Sequence, residues 1–174
     1  MNTVNGLPAH VLLVHGVVVL LPLSAFLLVV TALWPAARRR LAGPNAILSI
    51  LVVLLVPLTT SAGEWLERRV PDSSLVRTHA ELGDSAIFYA VPIAALALII
   101  WWRNREAYAT GRRRTYLAPL STMVTGVVAA LALIAGAAGV YGMYRIGDSG
   151  AKAAWTGSFS QNQTDRGPGA QGHD

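Results

Sequence analysis

Residues Leu7 to Leu23 read LPAHVLLVHGVVVLLPL and open a long apolar segment that carries two histidines, His10 and His15. A neutral imidazole has one hydrogen-bond donor and one acceptor, and lipid tails satisfy neither of them. Ionisable side chains at membrane depth usually face the interior of a helix bundle, a partner or a cavity. These two histidines are therefore the first candidates for a functional or interhelical contact.

The composition around this segment indicates an integral membrane protein. Of the 174 residues, 53% are hydrophobic and 13% are charged, whereas about a quarter of a soluble domain is usually charged. Four apolar blocks approach or exceed the roughly 20 residues that a helix needs to cross about 30 Å of hydrocarbon. The sequence therefore predicts an all-α bundle of four transmembrane helices.

The predicted bundle forms one domain over residues 1–156, with helices at about 9–34, 46–66, 79–102 and 117–145. Residues 157–174 are rich in Gly, Gln, Asn and Ser, and we expect a disordered C-terminal tail there. Helix 4 carries pairs of small residues four positions apart, which predict close helix packing in lipid: Gly126/Ala130, Ala132/Gly136, Ala135/Gly139 and Ala138/Gly142.

Several function classes lack support in the sequence. The protein contains no cysteine, so disulfides, thiolate metal sites and thiolate iron–sulfur ligation are excluded. Its net charge of +5 comes from cations clustered beside the apolar blocks, where they orient helices, so no nucleic-acid partner is expected. No nucleophile–base pairing, phosphate loop or HExxH motif occurs, and a non-enzymatic role is favoured.

Lysine and arginine counts in the loops predict the orientation. The predicted loop after helix 1 contains Arg38 to Arg40, whereas no charged residue precedes helix 1. Five more arginines follow helix 3: Arg103, Arg105, Arg112, Arg113 and Arg114. The positive-inside rule places both loops in the cytoplasm and both termini outside. Trp34, Trp101 and Trp102 then mark the inner membrane interface.

This orientation places most histidines and acids at one level, near the outer surface: His10, His15, Glu64, Glu67, His79, Glu81, Asp84 and Asp148. Because His10 and His15 are five residues apart, about 140° of helix rotation separates them and they do not share one face. We therefore expect a site to combine one ligand from helix 1 with another from helix 3.

Three functions are compatible with this cluster. The first is a b-type haem held by His15 and His79, or by His10 and His79. The second is an outward-facing metal or proton site, with zinc or copper bound by His15, His79, Glu64 and Asp84. The third is a structural or accessory subunit in which these side chains form interhelical hydrogen bonds. We favour the third, and the other two stay open.

Four strings carry a resemblance to a known family: LPAH at 7–10 with His15 five residues later, SAGEWLERRV from Ser61, HAELGD from His79 and RIGDSGAKAAW from Arg145. Together they resemble the bacterial membrane family called domain of unknown function 2231. The family's histidines correspond by position to His10, His15 and His79. Val11 stands where relatives often have proline, and Gly16-Val17 where they often have Phe-Pro.

This resemblance implies a four-helix module of the bacterial plasma membrane that has no established activity. Some relatives are joined to Rieske-type or cytochrome c-type domains, which implies an association with membrane electron transfer. The partners we expect are the lipid bilayer, respiratory-chain or other membrane proteins, and a second copy of the chain.

Overall fold

The computed structural model describes residues 3–4, 6–108, 116–117 and 120–157. Five helices account for nearly all of this part: α1 (Ala9–Leu33), α2 (Pro35–Glu67), α3 (Ser74–Asp84), α4 (Ala86–Tyr108) and α5 (Thr122–Trp155). The described residues before α1 form a two-residue antiparallel pair, β1 (Thr3–Val4) with β2 (Leu7–Pro8). The predicted disordered tail lies, apart from Gly157, outside the described residues.

Four segments are long and apolar enough to cross a membrane: α1, α2, the α3–α4 pair and α5. The shortest, α1, has 25 residues, which correspond to about 37 Å at 1.5 Å per residue. Because a helix satisfies its own backbone groups, it can cross the hydrocarbon core without partners for them. The predicted all-α bundle of four spans is confirmed.

The junction between α1 and α2 is tighter than the predicted loop. Trp34 alone separates the helices, with φ −112° and ψ 107°, because a residue before proline is disfavoured in the α region. Pro35 then occupies the first turn of α2, where its fixed φ suits a helix start. The arginine triplet therefore lies inside α2, which begins eleven residues before the predicted position 46.

Helix α3 begins at Ser74, five residues before the predicted start at 79. The Ser73 hydroxyl accepts a hydrogen bond from the backbone N–H of Val76 at 3.2 Å, which satisfies one of the free donors at a helix N-terminus. Ser85 separates α3 from α4. His79 consequently lies in the middle of a short helix rather than at its first residue.

Helix α5 is shifted along the chain relative to the predicted 117–145. It starts at Thr122, where the Ser121 hydroxyl caps the N–H of Val124, and it continues to Trp155. Gly157 follows with a φ of +79°, a left-handed conformation that favours glycine after a helix end. The segment RIGDSG is therefore helical, and its residues Ile146 and Ser149 are buried in the bundle.

The small residues of α5 allow close helix contact. A Cβ added at Gly136 would lie 2.9 Å from Val29 of α1, and one at Gly139 would lie 2.8 Å from Ile93 of α4. Gly126 is different, since among the described residues nothing lies within 4 Å of its added Cβ. Close packing is confirmed at two of the four predicted pairs, Ala132/Gly136 and Ala135/Gly139.

The helices are arranged as a ring at the end of the bundle where α1 begins. α1 packs against α2 and α5, and α3 packs against the same two helices. α1 and α3 therefore face each other across this ring, with α2 and α5 on either side. Side chains from α1 and α3 that point inward meet in the middle.

Candidate functional site

His10, the second residue of α1, is held against α2. Its Nδ1–H donates to the backbone carbonyl of Thr59 at 2.9 Å; a carbonyl only accepts, so the proton is on Nδ1. Gly63 lies one turn beyond Thr59, on the same face of α2. A Cβ at Gly63 would lie 3.0 Å from both Cε1 and Nδ1 of His10. The ring therefore fits closely against a gap that glycine leaves.

His79 is held against α5 in a similar way. Its Nδ1 lies 3.0 Å from Oγ of Ser149, and that hydroxyl donates to the Ile146 carbonyl at 2.8 Å. Since the hydroxyl hydrogen is used there, Ser149 accepts from Nδ1–H of His79. A Cβ at Gly150 would lie 2.9 Å from Cε1 and 3.3 Å from Nε2 of the ring.

The two imidazoles meet in the middle of the helix ring. Their centroids are 6.3 Å apart and their planes cross at 74°, an edge-to-face arrangement. We call His10 and His79 the histidine pair. Because each imidazole bonds to a helix other than its own, the histidine pair connects all four helices at this end of the bundle: α1, α2, α3 and α5. In both rings Nε2 takes no part in these bonds.

His15 is not part of this arrangement. Its side chain is exposed, and Nδ1 donates to the Val11 carbonyl of its own helix at 2.5 Å. The rotation of about 140° between positions 10 and 15 accounts for the difference. Of the two predicted combinations with His79, the structure brings together His10 with His79.

The acidic candidates do not assemble around the histidine pair. Glu64 and Asp84 are both exposed, and in the described part of the chain no group of three or more His, Asp or Glu side chains could hold a metal ion. Glu64 follows Gly63 directly and so points about 100° away from it, and Asp84 lies five residues beyond His79. A zinc site of four protein ligands is not formed.

The residues that hold the histidine pair were not predicted as site residues: Thr59, Gly63, Ser149 and Gly150. Three of them, Gly63, Ser149 and Gly150, lie within the strings SAGEWLERRV and RIGDSGAKAAW, one or two positions from predicted acids. The sequence signal for these positions is a glycine beside a polar residue near a helix end. Such a glycine makes room for an imidazole only if a histidine of another helix lies opposite, and this depends on how the helices pack.

Comparison with known proteins identifies the family. The family described as predicted membrane protein (DUF2231) matches residues 6–162. The chain belongs to the DUF2231 family. No curated protein and no solved structure matches it. The matched range contains the whole histidine pair with its glycines and hydrogen-bond acceptors, so this arrangement lies within the DUF2231 module itself.

The contact between the two imidazoles bears on the haem hypothesis for this DUF2231 chain. Two imidazoles that hold one metal each point a nitrogen at the same ion. His10 and His79 instead meet edge to face, with centroids 6.3 Å apart and planes crossing at 74°, which is the geometry of a direct aromatic contact. Each Nδ1–H bonds to an oxygen of another helix, so Nε2 is the nitrogen that would have to bind a metal.

Proposed function

We propose that this DUF2231 chain is a non-catalytic accessory component of the membrane, associated with electron transfer, in which the histidine pair holds four helical segments together. The observation that carries the proposal is that both Nδ1–H groups bond across helices, His10 to Thr59 and His79 to Ser149. The imidazoles lie between helices and not in an open cleft, and this placement suits a structural role.

Interhelical hydrogen bonds have a measurable effect in membrane proteins. Double-mutant cycles give about 0.6 kcal/mol on average and about 1.7 kcal/mol at most for one such bond. The two bonds of the histidine pair therefore contribute about 1–3 kcal/mol, in addition to the contacts of the rings with Gly63 and Gly150. That is enough to order one end of a bundle and so to present a defined surface to a partner.

The association with electron transfer is supported by the family resemblance, since some relatives are joined to Rieske-type or cytochrome c-type domains. The orientation we propose, with both termini outside a bacterial plasma membrane, is supported by the arginines near the α1–α2 junction and after α4. It places the histidine pair at the extracytoplasmic surface. A respiratory-chain protein or a second copy of the chain is the kind of partner expected there.

A second candidate function is b-type haem binding, which is supported by the meeting of one histidine from α1 with one from α3. His10 and His79 would hold the iron, with Thr59 and Ser149 fixing the protonated nitrogens. Haem held by two histidines supplies one-electron transfer. We do not propose the zinc or copper set of His15, His79, Glu64 and Asp84, because the described residues do not bring it together.

A visible spectrum of the purified full-length protein from haem-replete cells, reduced minus oxidised, separates the two functions. The accessory role predicts no Soret band, no stoichiometric zinc or copper by elemental analysis, and co-purification of a membrane partner. A Soret band that disappears in both His10→Ala and His79→Ala, and persists in His15→Ala, would contradict it and establish the haem function. His15→Ala is the matched control because the His15 ring is exposed and bonds to its own helix, α1.

A further inference from the structure

A second polar site lies at the opposite end of the bundle, between the α1–α2 junction, the last turns of α4 and the first turn of α5. It is a cavity of about 200 Å³, which is smaller than a typical drug-sized pocket and has room for several waters or one small anion. Arg38, Arg103, Asn104 and Thr125 line it. None of the described lining residues is acidic.

Arg38 offers free donors to this cavity. Its Nε donates to the Thr31 carbonyl at 2.8 Å and its Nη2 to the Ala32 carbonyl at 2.5 Å. Nη1 has no hydrogen-bond partner among the described residues, which also contain no buried, unpartnered side-chain nitrogen or oxygen. The two N–H groups of Nη1 are therefore accessible, while the bonds to α1 hold the guanidinium in place.

Arg103 adds a second, firmly held cation. Its side chain is buried, with 7% exposed, and its guanidinium donates to the Leu117 carbonyl and to Oγ1 of Thr125, the latter at 2.8 Å. Glu106 does not line the cavity but interacts electrostatically with Arg103 and offsets part of its charge. The two guanidinium groups still attract negative charge to the cavity, and their planar donors match the oxygens of phosphate groups.

The depth of the cavity identifies the source of such an anion. Exposed aromatic side chains surround the same end of the bundle: Trp34, Trp102, Tyr108 and Tyr116. Tryptophan and tyrosine collect at the level of lipid headgroups, and basic pockets between transmembrane helices bind anionic headgroups. We propose that this cavity binds the phosphate group of an anionic phospholipid, with Nη1 of Arg38 as the main donor.

The test measures how lipid raises the melting temperature of the full-length protein in a neutral detergent. Phosphatidylglycerol is titrated, with phosphatidylcholine as the neutral comparison and inorganic phosphate as a separate arm. The variants are Arg38→Gln, Arg40→Gln as an exposed control outside the cavity, and Ala107→Phe. Ala107 lines the cavity, so a phenyl ring there fills the space while both arginines remain.

Phosphatidylglycerol is expected to stabilise the wild type and Arg40→Gln equally and more than phosphatidylcholine does. Arg38→Gln should weaken the apparent affinity about fivefold or more, as expected for one lost cation at an anionic surface. Ala107→Phe should also weaken the apparent affinity for phosphatidylglycerol. If Arg38→Gln does not fold, the Ala107→Phe variant alone tests whether the lipid binds in this cavity.

Stabilisation by inorganic phosphate alone, lost in the same two variants, supports the anion site and assigns it to a free phosphate instead of a lipid. Equal effects of the two lipids without any effect of phosphate would overturn the proposal. So would equal responses of Ala107→Phe, Arg38→Gln and Arg40→Gln.

Discussion

Replacing Gly150 with alanine tests whether the His79 ring lies against α5. A Cβ at this position would lie 2.9 Å from Cε1 of His79 and 3.2 and 3.3 Å from its two nitrogens. These separations are too short for a relaxed contact, so the ring must move away and its bond to Ser149 must lengthen or break. Gly147, three residues earlier in the same helix, has nothing described within 4 Å of its added Cβ.

The expected magnitudes follow from these contacts. Overpacking costs about 1–3 kcal/mol and a lost hydrogen bond about 0.5–1.5 kcal/mol, whereas replacing helical glycine with alanine gains about 0.5–1 kcal/mol. Gly150→Ala should therefore lower the free energy of unfolding by about 1–3 kcal/mol. Gly147→Ala gains only the higher helix propensity of alanine, so it should raise the free energy of unfolding by about 0.5–1 kcal/mol.

The assay is unfolding of the full-length protein in mixed micelles by increasing dodecyl sulfate, followed by tryptophan fluorescence. A double-mutant cycle repeats the measurement of Gly150→Ala in a His79→Ala background, which lacks the imidazole that Gly150→Ala displaces. There the cost of Gly150→Ala should disappear, leaving a coupling energy of at least about 1 kcal/mol. If Gly150→Ala and Gly147→Ala behave alike in both backgrounds, His79 does not lie on Gly150 and the reasoning is refuted.

Three further predictions concern other parts of the bundle. In the same unfolding assay His10→Ala should cost about 1–2 kcal/mol and His15→Ala less than about 0.5 kcal/mol, because only the first loses an interhelical bond; equal costs would contradict this. Ser121→Ala should cost about 1 kcal/mol through the lost cap of α5, and an unchanged unfolding curve would argue against that cap. In this cysteine-free chain, Asp72→Cys should react with a membrane-impermeant maleimide on intact cells and Arg39→Cys only after lysis; the reverse pattern would invert the proposed orientation.

The four spans could be predicted from the sequence because hydrocarbon thickness dictates the length of an apolar block, whatever the tertiary packing. The helix ends were less predictable. The sequence predicts a loop at the arginine triplet, yet α2 starts at Pro35 and contains the triplet near its N-terminal end, before the apolar part of the helix. Helices continue past the membrane surface where their sequence allows it, and charge alone does not show where they begin.

The site could be predicted only in part. One ligand from α1 opposite one from α3 was expected from the depth of the histidines, and the structure places His10 and His79 in that relation. Which of His10 and His15 faces inward depends on the rotation of α1, and each residue of register changes this by about 100°. The gaps at Gly63 and Gly150 depend on how two helices cross, which no single segment reveals.

The meeting of His10 and His79 is tested most directly by magnetic resonance on full-length protein in lipid nanodiscs, labelled with ¹³C and ¹⁵N in histidine only. The chain has four histidines, and the signals are assigned by replacing each one in turn. A correlation between the ring atoms of His10 and His79, with both rings protonated on Nδ1, is the predicted result. A correlation of His79 with His15 instead, or none with either, would contradict the central arrangement of the bundle.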